Sequence, residues 1–428
     1  MAQQLYFSRD TKMYLEFDSY IWEIPVLDGF SFSQATNSSE ITLNEMESSG
    51  GVSRRGRRAF NDSLAPGEWS FSTYVRPYTA AGATQGTGSA DTAAKVHAVE
   101  EVLWALMAGA KDYVPGGPAK YQSTIGSGSA TDVATPHGSN AEFNVNFGQS
   151  NVSALATFNL YFVLGDDNET VMKLDGCVVN EASIDFDIDG IATIAWSGNC
   201  ANLTDFTSRT VESAGAPAVS GRTVGDVVLD TNNGKFLQTV ATVPGSGNVT
   251  LNPYINEAVL TTTNFIRNRL TVLTVTPTTR DPDGDSSNEL ETDYSLTLTG
   301  GNVTVSNNVT FITPEEIGTV NVPIGHVTGT RSVTGSFTCY LTEDTGTANA
   351  SRDFFEDLRA ITNVVTNSFA LVFKIGGASG TGLELNMATA HVEIPTHSIE
   401  DVISLETSFQ ALPSTIDGTN ELTLKYRP

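Results

Sequence analysis

The chain has 428 residues, 39% apolar and 17% charged, enough to bury more than one core and too apolar to remain disordered. Its 49 acidic against 23 basic residues give a formal net charge of −26 at pH 7, which argues against a protein that holds nucleic acid by neutralising phosphates. Cys177, Cys200 and Cys339 are too few and too scattered for a disulfide framework or a zinc site, and their odd number fits a reducing compartment.

The opening MAQQLYFSRDTK carries no apolar signal-peptide core, and no apolar run approaches the ~18 residues of a membrane span, so a soluble chain without membrane contact is expected. Short alternating runs follow. GFSFS at 29–33, WSFSTYV at 69–75, TFNLYFVLG at 157–165 and SFALVFKIG at 368–376 read as strands bounded by Gly, Asn and Asp. Two helices are predicted. One lies near 92–109, where Val96, Val99, Leu103 and Leu106 share a face, and one near 351–361, where Phe354, Leu358 and Ile361 do. The Gly-, Ser- and Thr-rich stretches near 45–66, 79–92 and 110–142 read as long surface loops.

The order of these segments repeats. SFSTY at 70–74 matches SFTCY at 336–340, each followed by a predicted helix and then by a similar strand, TFNLYFVLGD at 157–166 and SFALVFKIGG at 368–377. FSRDTKMYLE at 7–16 resembles FIRNRLTVLT at 265–274, and GFSFSQATNSSEIT resembles GGNVTVSNNVTF. The chain therefore reads as mainly β: a tandem duplication of a sandwich or barrel domain, each copy with one helix. Copy 1 spans roughly 1–205 and copy 2 roughly 264–428, with 206–263 a linker or a small insertion. A whole-domain duplication differs from a solenoid, which needs short periods and several copies.

The clearest periodicity is EASIDFDIDGI at 181–191. Ala182, Ile184, Phe186 and Ile188 fall on one face, and Glu181, Ser183, Asp185, Asp187 and Asp189 on the other. Rows of like charge cost stability, and two readings stay open: a solvated outer strand, or an acidic wall of a water-filled channel. DFDIDG imitates the start of a calcium loop, but the twelfth position is Trp196 where a bidentate Glu is required. DPDGDSSNELE at 281–291 gathers Asp281, Asp283, Asp285, Glu289 and Glu291 around a Gly turn and reads as an acidic hairpin loop before a calcium site. SRRGRR places Arg54, Arg55, Arg57 and Arg58 in a Gly/Ser-rich segment without interleaved aromatics, fitting either a loop that docks on the acidic surface of a neighbouring subunit or a solvated loop. No phosphate-binding loop, nucleophile elbow, zinc-protease helix or dinucleotide fingerprint is present, and His97, His137, His326, His391 and His397 are dispersed. No catalytic residue, metal or cofactor is therefore assigned, and the chain is not read as an enzyme.

The runs DGFSFSQATNSSEITLNE, RRAFNDSLAPGEWSFSTYVRPY, DGCVVNEASIDFDIDGIATIAWSGN and VPIGHVTGTRSVTGSFTCYL resemble, in order and over nearly the whole chain, the major tail tube proteins of T5-like siphophages. The resemblance implies two fused tail-tube domains, three chains per ring with pseudo-six-fold symmetry, and rings stacked into the hollow tail tube that conducts phage DNA. It implies tail tip initiator, tape-measure and tail terminator proteins as partners, assembly in the host cytoplasm, location in the virion, and passage of double-stranded DNA without retention. On that reading Glu181, Asp185, Asp187 and Asp189 face the lumen and Arg54, Arg55, Arg57 and Arg58 make contacts between rings. A β-rich surface adhesin or carbohydrate-binding protein is the alternative.

Overall fold

A computed structural model describes residues 5–42, 56–80, 95–115, 119–124, 128–138, 142–149, 151, 153, 155–165, 169–232, 235–255, 264–279, 293–317, 320–343, 350–360 and 368–428. The chain is mainly β, with two α-helices among the described residues. Fourteen strands suffice to describe its frame. Copy 1 contributes β1 (Thr11–Phe17), β2 (Ser31–Ser33), β3 (Gly67–Tyr74), α1 (Glu101–Met107), β4 (Phe158–Leu164), β5 (Thr170–Asp187) and β6 (Thr193–Cys200). Copy 2 contributes β7 (Val272–Pro277), β8 (Leu298–Ser306), β9 (Ser332–Tyr340), α2 (Ser351–Ala360), β10 (Phe369–Ile375), β11 (Gly382–Val392), β12 (Thr396–Ile399), β13 (Ile403–Ala411) and the closing β14 (Thr423–Arg427).

The same antiparallel pairing order occurs twice. In copy 1, β1 pairs β4, β4 pairs β5, β5 pairs β6, β6 pairs β3 and β3 pairs β2. In copy 2, β7 pairs β10, β10 pairs β11, β11 and then β12 pair β13, β13 pairs β9 and β9 pairs β8. The duplication seen in the sequence is thus a duplication of sheet topology.

In copy 1 one long strand passes from one set of partners to the next. The first half of β5 pairs with β4. From Val178 onward it pairs with β6, with a register shift between Val179 and Glu181 close to the change of partner. Such bulges turn a strand from one sheet into the next. Alternation decides which side is dry: in β3 Trp69, Phe71 and Thr73 point inward while Glu68, Ser70 and Ser72 do not. Buried Thr73 is satisfied by Trp196, whose Nε1 donates to its Oγ1 at 3.0 Å. Trp104 of α1 meets Trp196 edge-on at 4.8 Å, and one continuous apolar core runs through both copies, with Phe186 of β5 and Phe373 of β10 5.5 Å apart.

Two further links hold the copies together. β5 pairs directly with β8, from Glu181 opposite Ser306 to Asp187 opposite Gly300. β14, from the end of the chain, lies between β11 of copy 2 and the strand Phe143–Asn146 of copy 1.

Several local expectations change. The helix predicted near 92–109 shortens to α1, because Val96 belongs to the strand Lys95–Ala98 and Val99 to the turn after it. The stretch 110–142, read as a loop, holds strands Asp112–Val114, Lys120–Thr124 and Ala130–Thr135, whose Tyr113, Tyr121, Val133 and Ala134 are buried. Likewise 57–64, inside the supposed loop near 45–66, is a strand paired with Thr36–Thr42; a similar hairpin joins Val309–Ile312 to Gly325–Thr328 in copy 2. The connector after residue 205 carries a four-stranded sheet of Thr210–Ser213, Val227–Asp230, Phe236–Thr242 and Thr250–Leu251. Its Val227, Leu229 and Leu237 pack on Tyr14, Ile21, Tyr161 and Val163 of copy 1. Ile188, expected on the apolar face, lies in the turn after β5 and is exposed, because the strand ends at Asp187.

Candidate functional site

The β5–β8 pairing joins the two copies into one layer of eight strands, in the order β2–β3–β6–β5–β8–β9–β13–β12. One face of this layer carries the core. The other is polar apart from Ala195 and follows directly from the register. One row runs Tyr74, Thr193, Asp185, Asn302, Ser336, Ser408; the next runs Ser72, Ala195, Ser183, Thr304, Thr334, Gln410, His391. Glu181 lies between Ser197 and Ser306, and Asp187 lies opposite Gly300 at the end of β5. Hydroxyls pair across strands, as Ser31 with Ser70 at 2.8 Å and Ser183 with Thr304 at 3.0 Å.

Of the acids singled out in the sequence, Asp185 and Asp187 are exposed on this face and Glu181 is half-buried on it. Asp189 is exposed in the turn beyond β5 and lies outside the ladder. The structure adds Glu68 in β3 and Glu406 in β13, opposite Thr338. In β13 the pattern is the same as in β5: Leu405, Thr407, Phe409 and Ala411 point inward, and Glu406, Ser408 and Gln410 outward. The alternation is present in ISLETSFQA, but the turn at 400–402 breaks it when the segment is read from Ser398. At the positions of these rows there is no Lys or Arg. Two carboxylates at alternate positions of one strand are about 7 Å apart and repel by roughly 0.6 kcal/mol in water, a cost the sheet easily carries.

Glycines under aromatic rings keep the layer close-packed on its dry side. A Cβ on Gly198 would meet the Trp69 ring at 2.4 Å and the Val178 carbonyl at 2.1 Å. Gly301 is covered by Phe186 and Gly335 by Phe409 in the same way.

The arginines lie elsewhere. Arg57 and Arg58 are exposed at the start of the strand Arg57–Leu64, at the end of the layer marked by Gly67, and Arg57 Nη1 reaches Glu40 Oε1 at 3.2 Å across its hairpin. Arg54, Arg55 and the acidic run 281–291 lie outside the described residues. Among the described residues no group of His, Cys, Asp or Glu is arranged to hold a metal ion. A shallow trough on the polar face, lined by Ser31, Ser33, Glu68, Ser70, Asn180, Ser197 and Asn199, offers one carboxylate, so it lacks the facing carboxylate pair that glycoside hydrolysis uses.

A wide polar sheet face that spans two fused copies, and whose two edge strands each pair on one side alone among the described residues, fits a structural building block. No family model matches the chain. It is 29% identical over 402 residues to the tail tube protein pb6 of Escherichia phage T5, covering 93% of this chain and 69% of that protein. This likeness supports the recognition made from the sequence motifs: the chain resembles the major tail tube proteins of the T5-like type. The likeness supports a structural role in the tail of a phage virion.

Proposed function

We propose that three copies of this chain close into a ring, that rings stack into the hollow tail tube through which phage DNA passes, and that the polar face of the eight-stranded layer lines its lumen. The observation that carries the reading is that face: continuous across both copies, rich in hydroxyls, bearing Glu68, Glu181, Asp185, Asp187 and Glu406, and without Lys or Arg in its rows. A lumen lined with cations would bind the phosphate backbone through counterion release; one lined with hydroxyls and carboxylates leaves the duplex free to move. Three eight-stranded layers in one cylinder, with strands ~4.8 Å apart and tilted by about 40°, give a diameter on the order of 50 Å, wide enough for a duplex. The number three comes from the resemblance, as do the tape-measure, tip and terminator partners.

Stacking is polar, head to tail. One end of the layer carries the two hairpins, with Arg57, Arg58, Ile312 and Ile324 exposed; the other exposes Ile188, Ile191, Leu270 and Ile403 beside Asp189, Glu400 and Asp401. Both ends expose apolar side chains and charges of both signs, Glu40 beside Arg57 at one and Arg267 and Arg269 beside Leu270 at the other, which suits the hairpin end of one ring to the rim of the next. Electron microscopy of the purified protein and of the virion tail tests the proposal. Hollow tubes whose cross-section has three chains are expected; a chain that stays monomeric and binds glycans would overturn it in favour of an adhesin.

A further inference from the structure

The pairing of β5 with β8 inside the chain is a template for a pairing between chains. β8 has β2 as its copy-1 counterpart, because each is the neighbour of the repeated strand: Asn302, Val303 and Thr304 face Ser336, Gly335 and Thr334 of β9, while Ser31, Phe32 and Ser33 face Ser70, Trp69 and Glu68 of β3. The second half of β5 has β12 as its copy-2 counterpart. Asp185, Ile184 and Ser183 face Thr193, Ile194 and Ala195 of β6, while Ser398, His397 and Thr396 face Ser404, Leu405 and Glu406 of β13. Inside the chain the joint sets Asp185 opposite Asn302 and Ser183 opposite Thr304.

Both counterparts are edges. Among the described residues β2 pairs with β3 alone and β12 with β13 alone. All four residues of β12 are exposed, Ile399 at 79%, whereas their β5 equivalents Ile184 and Phe186 are covered by β8. An uncharged edge strand with an exposed isoleucine is a template for another strand, and natural proteins ordinarily guard such an edge with charge or proline. Here Thr396, His397, Ser398 and Ile399 offer neither.

We infer that β12 of one copy takes β2 of a second copy of this chain as its antiparallel neighbour, with Ser398 opposite Ser31 and Thr396 opposite Ser33. His397 then lies opposite Phe32, as Ile184 lies opposite Val303 within the chain. His397 already meets Phe355 of α2 edge-on at 4.6 Å, and Phe32 meets Phe162 at 4.8 Å, so the seam continues the core from one copy to the next. The inference rests on the tail-tube reading and adds the edges and the register by which neighbours meet.

Cysteine pairs read the register. The native Cys177, Cys200 and Cys339 are buried and give a low background. In assembled tubes of S31C/S398C, a mild oxidant should convert the monomer band in non-reducing denaturing gels to covalent multimers, since opposed residues of a sheet fall within disulfide reach. S33C/T396C should do the same, and the shifted pair S33C/S398C should stay monomeric. Tubes in which the shifted pair cross-links and the two matched pairs do not would overturn the register. Tubes in which no pair cross-links would overturn the choice of edges while leaving the tail-tube reading intact. Failure of the unsubstituted protein to form tubes would overturn both.

Discussion

The Tyr426 hydroxyl donates a hydrogen bond to Glu100 Oε1 at 2.6 Å, across 326 positions of sequence. Tyr426 belongs to β14 and Glu100 immediately precedes α1, so the last strand of the chain is pinned to the helix of copy 1. Trp104 Nε1 donates to the same hydroxyl at 2.7 Å. Next to it Glu101 is better satisfied: Tyr121 donates to Oε1 at 2.8 Å, and His97 Nδ1 and the Ala98 N–H approach Oε2 at 3.0 and 3.3 Å.

That contrast predicts a pH dependence. Glu100 is fully buried and its Oε2 has no hydrogen-bond partner among the described residues. Burial pushes its carboxyl up to about 7, with the Tyr426 hydroxyl and Arg76 opposing and Glu101 adding to the rise. The folded state therefore keeps a proton that the unfolded chain releases near 4.5. Its contribution to stability is complete below that value and is lost as pH rises through about 7. Glu100→Gln preserves an acceptor for Tyr426 and cannot ionise. It should be near neutral in denaturant unfolding at pH 5 and stabilising by on the order of 3 kcal/mol at pH 8.5. An equal effect at both pH values would show that Glu100 does not titrate as described.

Gly198 offers a test of the layer itself. With the Trp69 ring and a backbone carbonyl both inside normal contact distance of an added methyl, the neighbouring strands must separate to admit it. Overpacking of this kind costs about 1–3 kcal/mol, and more where backbone must move. Gly198→Ala should lower the unfolding midpoint accordingly, and Gly198→Ala combined with Trp69→Leu should cost less than the sum of the two single variants. A neutral single variant would mean that the ring can swing away.

Arg331 ties copy 2 to copy 1 from a buried position. Its Nη2 meets Glu421 Oε2 at 2.7 Å and donates to the Thr419 and Phe147 carbonyls at 2.6 and 3.3 Å, with the guanidinium 4.8 Å above the Phe147 ring. Removing one partner of a buried pair leaves the other charge stranded and costs about 3–5 kcal/mol, whereas replacing both with apolar side chains is often close to neutral. Arg331→Met should fall in that range by chemical denaturation, and Arg331→Met with Glu421→Leu should be much less destabilised. If the double variant is as unstable as the single, the carbonyl bonds and the ring contact matter more than the charge pair.

The sequence shows some of this and hides the rest for identifiable reasons. The duplication is legible because SFSTY and SFTCY, with the strands after each helix, are local patterns that survive divergence. Asp185 and Asp187 are legible because acids alternate with Ile184 and Phe186. The strands in 110–142 escape notice because Tyr113, Tyr121 and Val133 sit singly among Gly, Ser and Thr, with too few apolar residues in each run to show a period of two. The position of β14 leaves no local trace at all, since its partners Phe143–Asn146 and β11 are chosen by tertiary packing.

Charge reversal on the polar face tests the lumen most directly. Asp185 and Asp187 are exposed, pack against nothing in the core, and face Thr193, Asn302 and Gly300, so Asp185→Lys with Asp187→Lys should leave folding and tube formation intact. In the proposed ring of three, the two lysines would replace six carboxylates with six ammonium groups at one level of the lumen, and stacking would repeat them along the tube. Each cation that neutralises a phosphate releases counterions, so the duplex should drag, and the drag should weaken steeply as salt rises. The expected outcome is normal tails by microscopy with DNA ejection slowed at low salt and largely restored at high salt. Well-formed tails that eject at the unsubstituted rate across the salt range would remove these two residues from the lumen.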